Sequence, residues 1–239
     1  MQQGKPRFGI DAPGVVLTLG LIGIGLFVTA AVSVWIGKPD IAAMTFSPAC
    51  STSICCLLMV LTSTIGKPVV VRRMIGQLKL RGDEQVLDVG CGRGLLLLEA
   101  ARQLPRGRAT GLDLWSTRDQ SGNAAEVTRR NAELAGVTDR VQIDTGDMRQ
   151  MPYPDATFDV IISSLAIHNL PTTADREQAV REIVRVLKPG GHVALLDFRG
   201  TGTYVRTLRA SGLGNAHRSW PNFTMFPWVW IVRAVSNAA

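Results

Sequence analysis

Cysteine is scarce in this chain, with four residues in 239: Cys50, Cys55, Cys56 and Cys91. Their spacing gives neither a metal-ligand set nor a framework of disulfide bridges. Three lie in one apolar stretch, where a small thiol serves as packing; lipidation of Cys55 or Cys56 is an alternative use. Internal repeats and low-complexity tracts are also absent, which excludes a solenoid or a disordered array. A basic surplus is missing from most of the chain. Residues 82–239 hold 18 Lys and Arg against 17 Asp and Glu, so the net charge of +7 belongs elsewhere. Nucleic-acid binding needs a basic patch on the folded domain, and none is expected.

What is present is apolar and near the beginning. Between Asp11 and Lys38 lie 26 uncharged residues, "APGVVLTLGLIGIGLFVTAAVSVWIG", and between Asp40 and Lys67 another 26, "IAAMTFSPACSTSICCLLMVLTSTIG". Each exceeds the roughly 20 residues needed to cross a bilayer. The second holds Pro48 and many Ser and Thr, whose hydroxyls can bond back to helix carbonyls and so remain compatible with lipid. The flanking charge is one-sided: residues 1–81 carry eight Lys and Arg against two Asp. Lys5 and Arg7 precede the first run, and Lys67, Arg72, Arg73, Lys79 and Arg81 follow the second. Only Lys38 lies in the turn "GKPD". The positive-inside rule then predicts a hairpin with both ends in the cytoplasm. The first run is longer than the core of about 7–15 residues usual in a cleaved signal peptide.

The expected organisation is a membrane region over 1–66, with helices at about 14–36 and 42–65. A basic juxtamembrane linker or interfacial helix over 67–81 follows, and then a domain over 82–239. In that domain short apolar runs at 85–89, 109–114, 141–144, 159–163 and 192–197 alternate with helical stretches at about 94–103, 121–135 and 174–187. Alternation of this kind predicts a parallel sheet with crossover helices. The tail reads as a helix at 201–211 followed by two strands, "AHRSW" and "PWVWIVRAV", that close as a hairpin. Its segment "SWPNFTMFPWVW" is aromatic and suits lipid contact, a cover for an acceptor pocket, or strand packing.

The first strand runs into a glycine-rich loop, "QVLDVGCGRG". A dinucleotide fingerprint would place glycines at 90, 92 and 95, but residue 95 is Leu95, and Gly94 gives G-x-G-x-G instead. The Lys-Ser or Lys-Thr pair of a P-loop is absent. The carboxylate of Asp88 would repel a pyrophosphate and favour a cation. Asp113 ends the second strand, near where an acid reads a ribose in such folds, and Asp147 ends the third; both are at strand carboxyl ends, where open α/β sheets bind ligands.

In order, "VLDVGCGRG", "GLDLW", "TGDM", "FDVIISSLAIHN" and "VLKPGGHV" resemble the successive motifs of the class I S-adenosylmethionine-dependent methyltransferases of the methyltransferase-11 or UbiE-like kind. The resemblance covers residues 82–200 well and the tail more loosely; the membrane hairpin lies outside the general family pattern. It implies a Rossmann-like seven-stranded sheet, mostly parallel, with one antiparallel strand near the end. It also implies S-adenosylmethionine as cofactor. Gly90, Cys91, Gly92 and Gly94 would form the loop around its methionine and ribose, with Asp88 seating the ammonium end. Asp113 would accept the ribose hydroxyls and Asp147 the adenine amino group. Met148, with Leu114 or Trp115, would flank the ring, and Ser163 would sit near the methionine end.

Methyl transfer is an in-line displacement from a leaving group that is already activated, so no metal is needed and alignment supplies much of the acceleration. A base is needed only where the acceptor has a proton to lose. His168, after the fourth strand, is the candidate, with Asn169 beside it; capping or packing is the competing role. Asp197, Arg199 and Tyr204 could line the acceptor pocket, while His192 and His217 read as structural. The cofactor is cytosolic, which agrees with the hairpin topology. An anchored site suggests a lipophilic acceptor. Two other classes remain at this point, a nicotinamide oxidoreductase and a silent membrane-tethered scaffold that binds the cofactor.

Overall fold

A computed structural model describes residues 5–116 and 122–237. It begins with two antiparallel helices, α1 (Pro13–Trp35) and α2 (Pro39–Leu61), joined by the tight turn at Gly37 and Lys38. Both are long and apolar enough to cross a membrane. Small residues let them approach: a Cβ added to Gly23 would strike Ser53 Oγ, and Cys56 Sγ lies 3.4 Å from the Val16 carbonyl. This is the packing that helices use where lipid surrounds them and the hydrophobic effect between them is weak. The hydroxyls of Thr45, Ser51 and Thr52 donate to carbonyls four residues back, so the polar content of α2 is absorbed by its own backbone.

The second helix does not stop at the expected boundary. It passes through a widened five-residue turn, Thr62–Gly66, into α3 (Lys67–Leu78). The cause is Pro68, which has no N–H to offer the carbonyl of Thr64 and whose ring crowds the preceding turn. A widened turn relieves both problems. The stretch expected as a basic linker or interfacial helix over 67–81 is helical over Lys67–Leu78, and one face of that helix lies in the core. Val70, Val71, Met74 and Ile75 are fully buried. At about 1.5–3 kcal/mol for each buried side chain, as an upper bound, this is far more than an interfacial linker would gain.

Beyond α3 the strands are β1 (Gln85–Val89), β2 (Arg108–Asp113), β3 (Val141–Thr145), β4 (Phe158–Ser164), β5 (Leu187–Asp197), β6 (His217–Arg218) and β7 (Trp230–Val235). They form one sheet of order β3-β2-β1-β4-β5-β7-β6, in which β7 alone runs antiparallel. The helices between them are α4 (Leu95–Ala101), α5 (Ala125–Ala135), α6 (Thr173–Val186) and α7 (Thr201–Ala210). The helix expected at 121–135 is described from Ala125, and residue 121 lies outside the described residues. The Pro189-Gly190-Gly191 turn expected before the fifth strand is carried within β5 as a register shift against β4.

Alternate residues of each central strand face opposite layers, as the pleat dictates. Val86, Val160 and Ile162 pack with α3 and α4, while Leu87, Ile161 and Leu195 pack with α6 and α7. Covering both faces makes the strands apolar runs rather than alternating ones. The start of α6 is fixed by a capping box: Thr172 Oγ1 accepts from the Asp175 N–H, and the Asp175 carboxylate accepts from the Thr172 N–H.

Candidate functional site

The strand order reverses between β1 and β4, and at such a point the flanking loops diverge and leave a crevice beyond the strand carboxyl ends. A cavity of about 260 Å³ lies there. The glycine loop after β1 and the turns after β2, β3 and β4 form most of its wall. The remainder comes from the roots of the helical hairpin, Phe8, Asp11 and Lys67.

The glycine loop is tied to β2. The Gly90 and Cys91 N–H groups donate to the Leu112 carbonyl at 2.8 and 3.2 Å. Gly90 has φ +74°, and a Cβ there would collide with the side chain of Ala166, so only glycine lets the loop pass under the β4 turn. The Gly92 N–H donates to Asp113 Oδ2 at 2.8 Å. Asp113 Oδ1 accepts from the Trp115 N–H at 2.6 Å and from Asn123 Nδ2 at 3.1 Å. Behind the loop, Thr128 Oγ1 donates to the Gly92 carbonyl at 2.6 Å.

Asn131, on α5, joins the two ends of the molecule. Its amide nitrogen donates to the carbonyls of Arg7 and Arg93, and its oxygen accepts from the Arg7 N–H at 3.0 Å. The N-terminal segment is thereby stitched to the glycine loop. Asp11 then forms a 2.8 Å ion pair with Lys67 Nζ, and its N–H donates to Ser63 Oγ at 3.1 Å.

Buried oxygen atoms converge on the cavity. Both oxygens of Asp88, Oδ2 of Asp11, Oδ1 of Asn123 and Oγ of Ser164 are buried without a hydrogen-bond partner, and all four residues line it. Buried polar groups are ordinarily paired, so such a cluster marks a place built for a ligand with donors. Burial, and next the charge of Asp113, push the Asp88 carboxyl up to about 8. The Leu97 main-chain N–H and the charge of Lys67 act in the other direction, but neither Asp88 oxygen has a partner at hydrogen-bonding geometry. A cationic donor would meet that need. Cys91, also on the wall, is a neutral thiol: burial, with Asp88 and Asp113 adding, raises its pKa well above the usual value.

Of the residues expected from the sequence, Asp88, Gly90, Cys91, Gly92, Asp113, Leu114, Met148 and Asn169 lie on the wall. The others do not. Gly94 has φ +86° and starts α4, with a Cβ position only 2.9 Å from Thr128 Cγ2, so it serves the turn. Ser163 points away from the cavity and donates to the Val89 carbonyl at 2.7 Å. Its neighbour Ser164 takes the wall position, because successive strand residues face opposite sides.

Asp147 is engaged by Arg149, whose guanidinium contacts it at 2.6–3.1 Å and also bonds Asp175 at 2.9 Å. That hydrogen bonding holds the Asp147 carboxyl below its usual range. Trp115 turns its indole away and donates from Nε1 to Thr145 Oγ1.

His168 is also off the wall. Its Nδ1 lies 2.8 Å from Oδ1 of Asp197, which is 1% exposed. That contact is not at hydrogen-bonding geometry; the bond between the two residues is the His168 main-chain N–H donating to Asp197 Oδ2 at 3.3 Å. Asp197 also accepts from Tyr204 Oη at 3.0 Å and from the Phe198 N–H at 2.8 Å. Burial, and next the charge of Asp197, raise the Tyr204 pKa far above normal, so its hydroxyl remains a donor. His168, Asp197 and Tyr204 form one buried network behind the β4 turn, beside the cavity wall rather than on it.

Phe8, Asp11, Lys67, Asn123 and Ser164 are wall residues that sequence reasoning missed. Asp11 and Lys67 were visible as the charges bounding the apolar runs. Nothing local indicated that they would meet. Among the described residues no cluster of His, Cys, Asp and Glu is arranged to hold a metal.

The methyltransferase-domain family Methyltransf_11 matches residues 87–195. The 27-O-demethylrifamycin SV methyltransferase of Amycolatopsis mediterranei is 40% identical over 128 residues, covering 53% of this chain and 43% of that protein. The demethylmenaquinone methyltransferase of Symbiobacterium thermophilum is 35% identical over 127 residues, covering 53% and 47%. The chain thus spans about half the length of the curated relatives it matches. In three dimensions it is similar to a SAM-dependent methyltransferase from Aquifex aeolicus, with TM-score 0.53, 19% identity, and 70% and 88% coverage. At that identity the likeness shows the fold.

Proposed function

Since residues 87–195 belong to the class I S-adenosylmethionine-dependent methyltransferases, we propose that this chain is a membrane-anchored methyltransferase acting on a small lipophilic acceptor. One observation carries the reading: Asp11 and Lys67, at the two roots of the apolar hairpin, are both part of the cavity wall. The place where the chain would leave the bilayer is the place where the cofactor would sit.

The exposure of the hairpin supports anchoring. Leu17, Leu21, Ile24 and Val34 are 61–64% exposed and Met44 is 76% exposed, unlike the core helix of a soluble protein. The basic residues at both ends support a cytoplasmic domain on a cytoplasmic membrane. The similarity to a demethylmenaquinone methyltransferase supports an acceptor of quinone type. The proposed division is a membrane hairpin over 1–66 and a catalytic domain that takes in α3 as its first helix.

S-adenosylmethionine supplies, when bound, a methyl group already activated on a sulfonium. The residues present fit it. Asp88, buried and without a partner, would accept from the ammonium group. The main chain of Gly90, Cys91 and Gly92 would lie against methionine and ribose. Asp113 would accept the ribose hydroxyls. It already accepts from three donors, and a carboxylate has about four acceptor positions, so a diol requires Asn123 to release Oδ1. Met148 and Leu114 would cover the adenine. For Asp147 to bind the adenine amino group it would first have to leave Arg149. Asn169 would face the acceptor, and His168, held by its main-chain bond to Asp197, would take a proton where the acceptor has one to lose.

Membranes carrying the protein, supplied with methyl-labelled cofactor, test the reading. Label in the organic extract that disappears with Asp113→Ala is expected. Label only in water-soluble products would reject the lipophilic acceptor. Cofactor binding with no label in any fraction would favour a silent scaffold.

A further inference from the structure

The loop between β6 and β7 carries three aromatic side chains that face solvent. Trp220 is 91% exposed, Phe223 67% and Trp228 54%. Phe223 and Trp228 meet edge to face, with centroids 5.0 Å apart. The loop itself is pinned from beneath: Met225 and Val229 are buried in the core beside α3. Large exposed apolar patches on an otherwise well-packed protein mark a contact surface.

The position of the loop identifies the partner. The Phe226 N–H donates to Thr62 Oγ1 at 2.8 Å, and a Cβ added to Gly66 would collide with the Thr224 carbonyl. Thr62–Gly66 is the widened turn where the second apolar helix ends. The aromatic loop is therefore level with the root of the hairpin. Exposed Ile65 and Val69 continue the apolar surface, and Arg73 lines the groove between α3 and the loop. Tryptophan with a nearby cation suits the headgroup layer, where an amphipathic ring has both apolar and wet surroundings and arginine meets lipid phosphate.

We propose that Trp220, Phe223 and Trp228 insert into the interfacial layer of the same bilayer the hairpin crosses, as a second contact that fixes how the domain lies on the membrane. This rests on the anchoring proposed above and adds a claim about orientation. The hairpin root meets the cavity through Asp11 and Lys67 and the aromatic loop through Thr62 and Gly66, so the loop would brace the cavity mouth against the lipid surface.

The test uses the full chain in vesicles of phosphatidylcholine and phosphatidylglycerol, with lipids brominated either near the headgroup or near the bilayer centre. Bromine quenches nearby tryptophan. The double variant Trp220→Phe, Trp228→Phe keeps the loop apolar and removes two of the chain's five tryptophans. We expect shallow bromine to quench the wild type, and the quenchable emission to fall to about half or less in the double variant, because rings in an interfacial belt sit at headgroup depth. Quenching identical in wild type and variant, in protein that resists alkaline carbonate extraction, would overturn the inference and leave the anchor standing. Protein released by carbonate would overturn the anchor as well. Quenching that fails while the loop aromatics cross-link between copies would assign the patch to self-association instead.

Discussion

Lys67 Nζ lies 2.8 Å from Asp11 Oδ1, and these two residues join the end of one apolar helix to the beginning of the other at the wall of the cavity beyond β1 and β4. Lys67 is the more enclosed partner, with 11% of its side chain exposed against 27% for Asp11. Removing one charge strands the other. Lys67→Met is expected to cost about 2 kcal/mol, less than a fully buried pair because Asp11 keeps some water. Lys67→Met with Asp11→Asn should recover most of that loss. Thermal unfolding in detergent measures both, and equal instability of single and double variants would show that the pair does not act as a unit.

The ribose assignment is tested directly by Asp113→Ala. Cofactor affinity, measured by titration calorimetry on folded protein, is expected to weaken at least tenfold, about 1.4 kcal/mol. Unchanged affinity would reject Asp113 as the ribose acceptor.

With Asp88 in its proposed place against the ammonium group, cofactor binding is expected to depend on pH. Its carboxyl is held up to about 8, chiefly by burial, against an ordinary value of 3.8. Between these values the unfolded chain has lost this proton and the folded one keeps it, so Asp88's contribution to stability falls as pH rises from about 4 to about 8. A cationic ligand favours the ionised form and expels the proton. Affinity should therefore rise from pH 6 to pH 7 by up to about tenfold, with close to one proton released per ligand bound. Calorimetry in buffers of different ionisation enthalpy counts that proton, and Asp88→Asn should remove both the release and the slope.

Gly90→Ala combines a left-handed backbone with a collision at Ala166. The backbone alone costs roughly 1–2 kcal/mol for a non-glycine residue. The expected result is a lower unfolding midpoint together with lost cofactor binding. A variant of normal stability and affinity would mean that the loop moves more freely than its packing suggests.

His168 is separated from a packing role by a kinetic split. As a base it would give a kcat loss of roughly a hundredfold or more in His168→Gln, with cofactor affinity unchanged. Tyr204→Phe, which removes one bond to the same Asp197, should lower kcat less. Matching small losses in both variants would assign the network to structure.

The sheet was legible because the central strands β1, β2, β4 and β5 each carry a buried apolar run that ends in a recognisable turn, and the order of those turns follows the resemblance. What failed did so at the scale of one side chain. Ser163 and Ser164 are adjacent and chemically alike, and only the pleat decides which one faces the cavity. Asp147 occupies the expected turn, but Arg149, two residues on, takes its charge. The spacing of Val70, Val71, Met74 and Ile75 carried the signal of a buried helix face. Arg72, Arg73 and Lys79 among them drew the reading toward lipid headgroups. The Asn131 link to Arg7 spans 124 residues, and no local pattern could have announced it.

The run from Pro39 to Leu78 is continuous helix, even through its widened turn, and its last twelve residues are locked into the domain. On the proposed anchoring the enzyme is mounted and not leashed, so it cannot swing out to search the cytosol. Its acceptor must arrive by lateral diffusion to the foot of the hairpin. Turnover would then follow the number of acceptor molecules per unit area of leaflet, and diluting the acceptor with inert lipid should slow the reaction where diluting the vesicles in buffer does not.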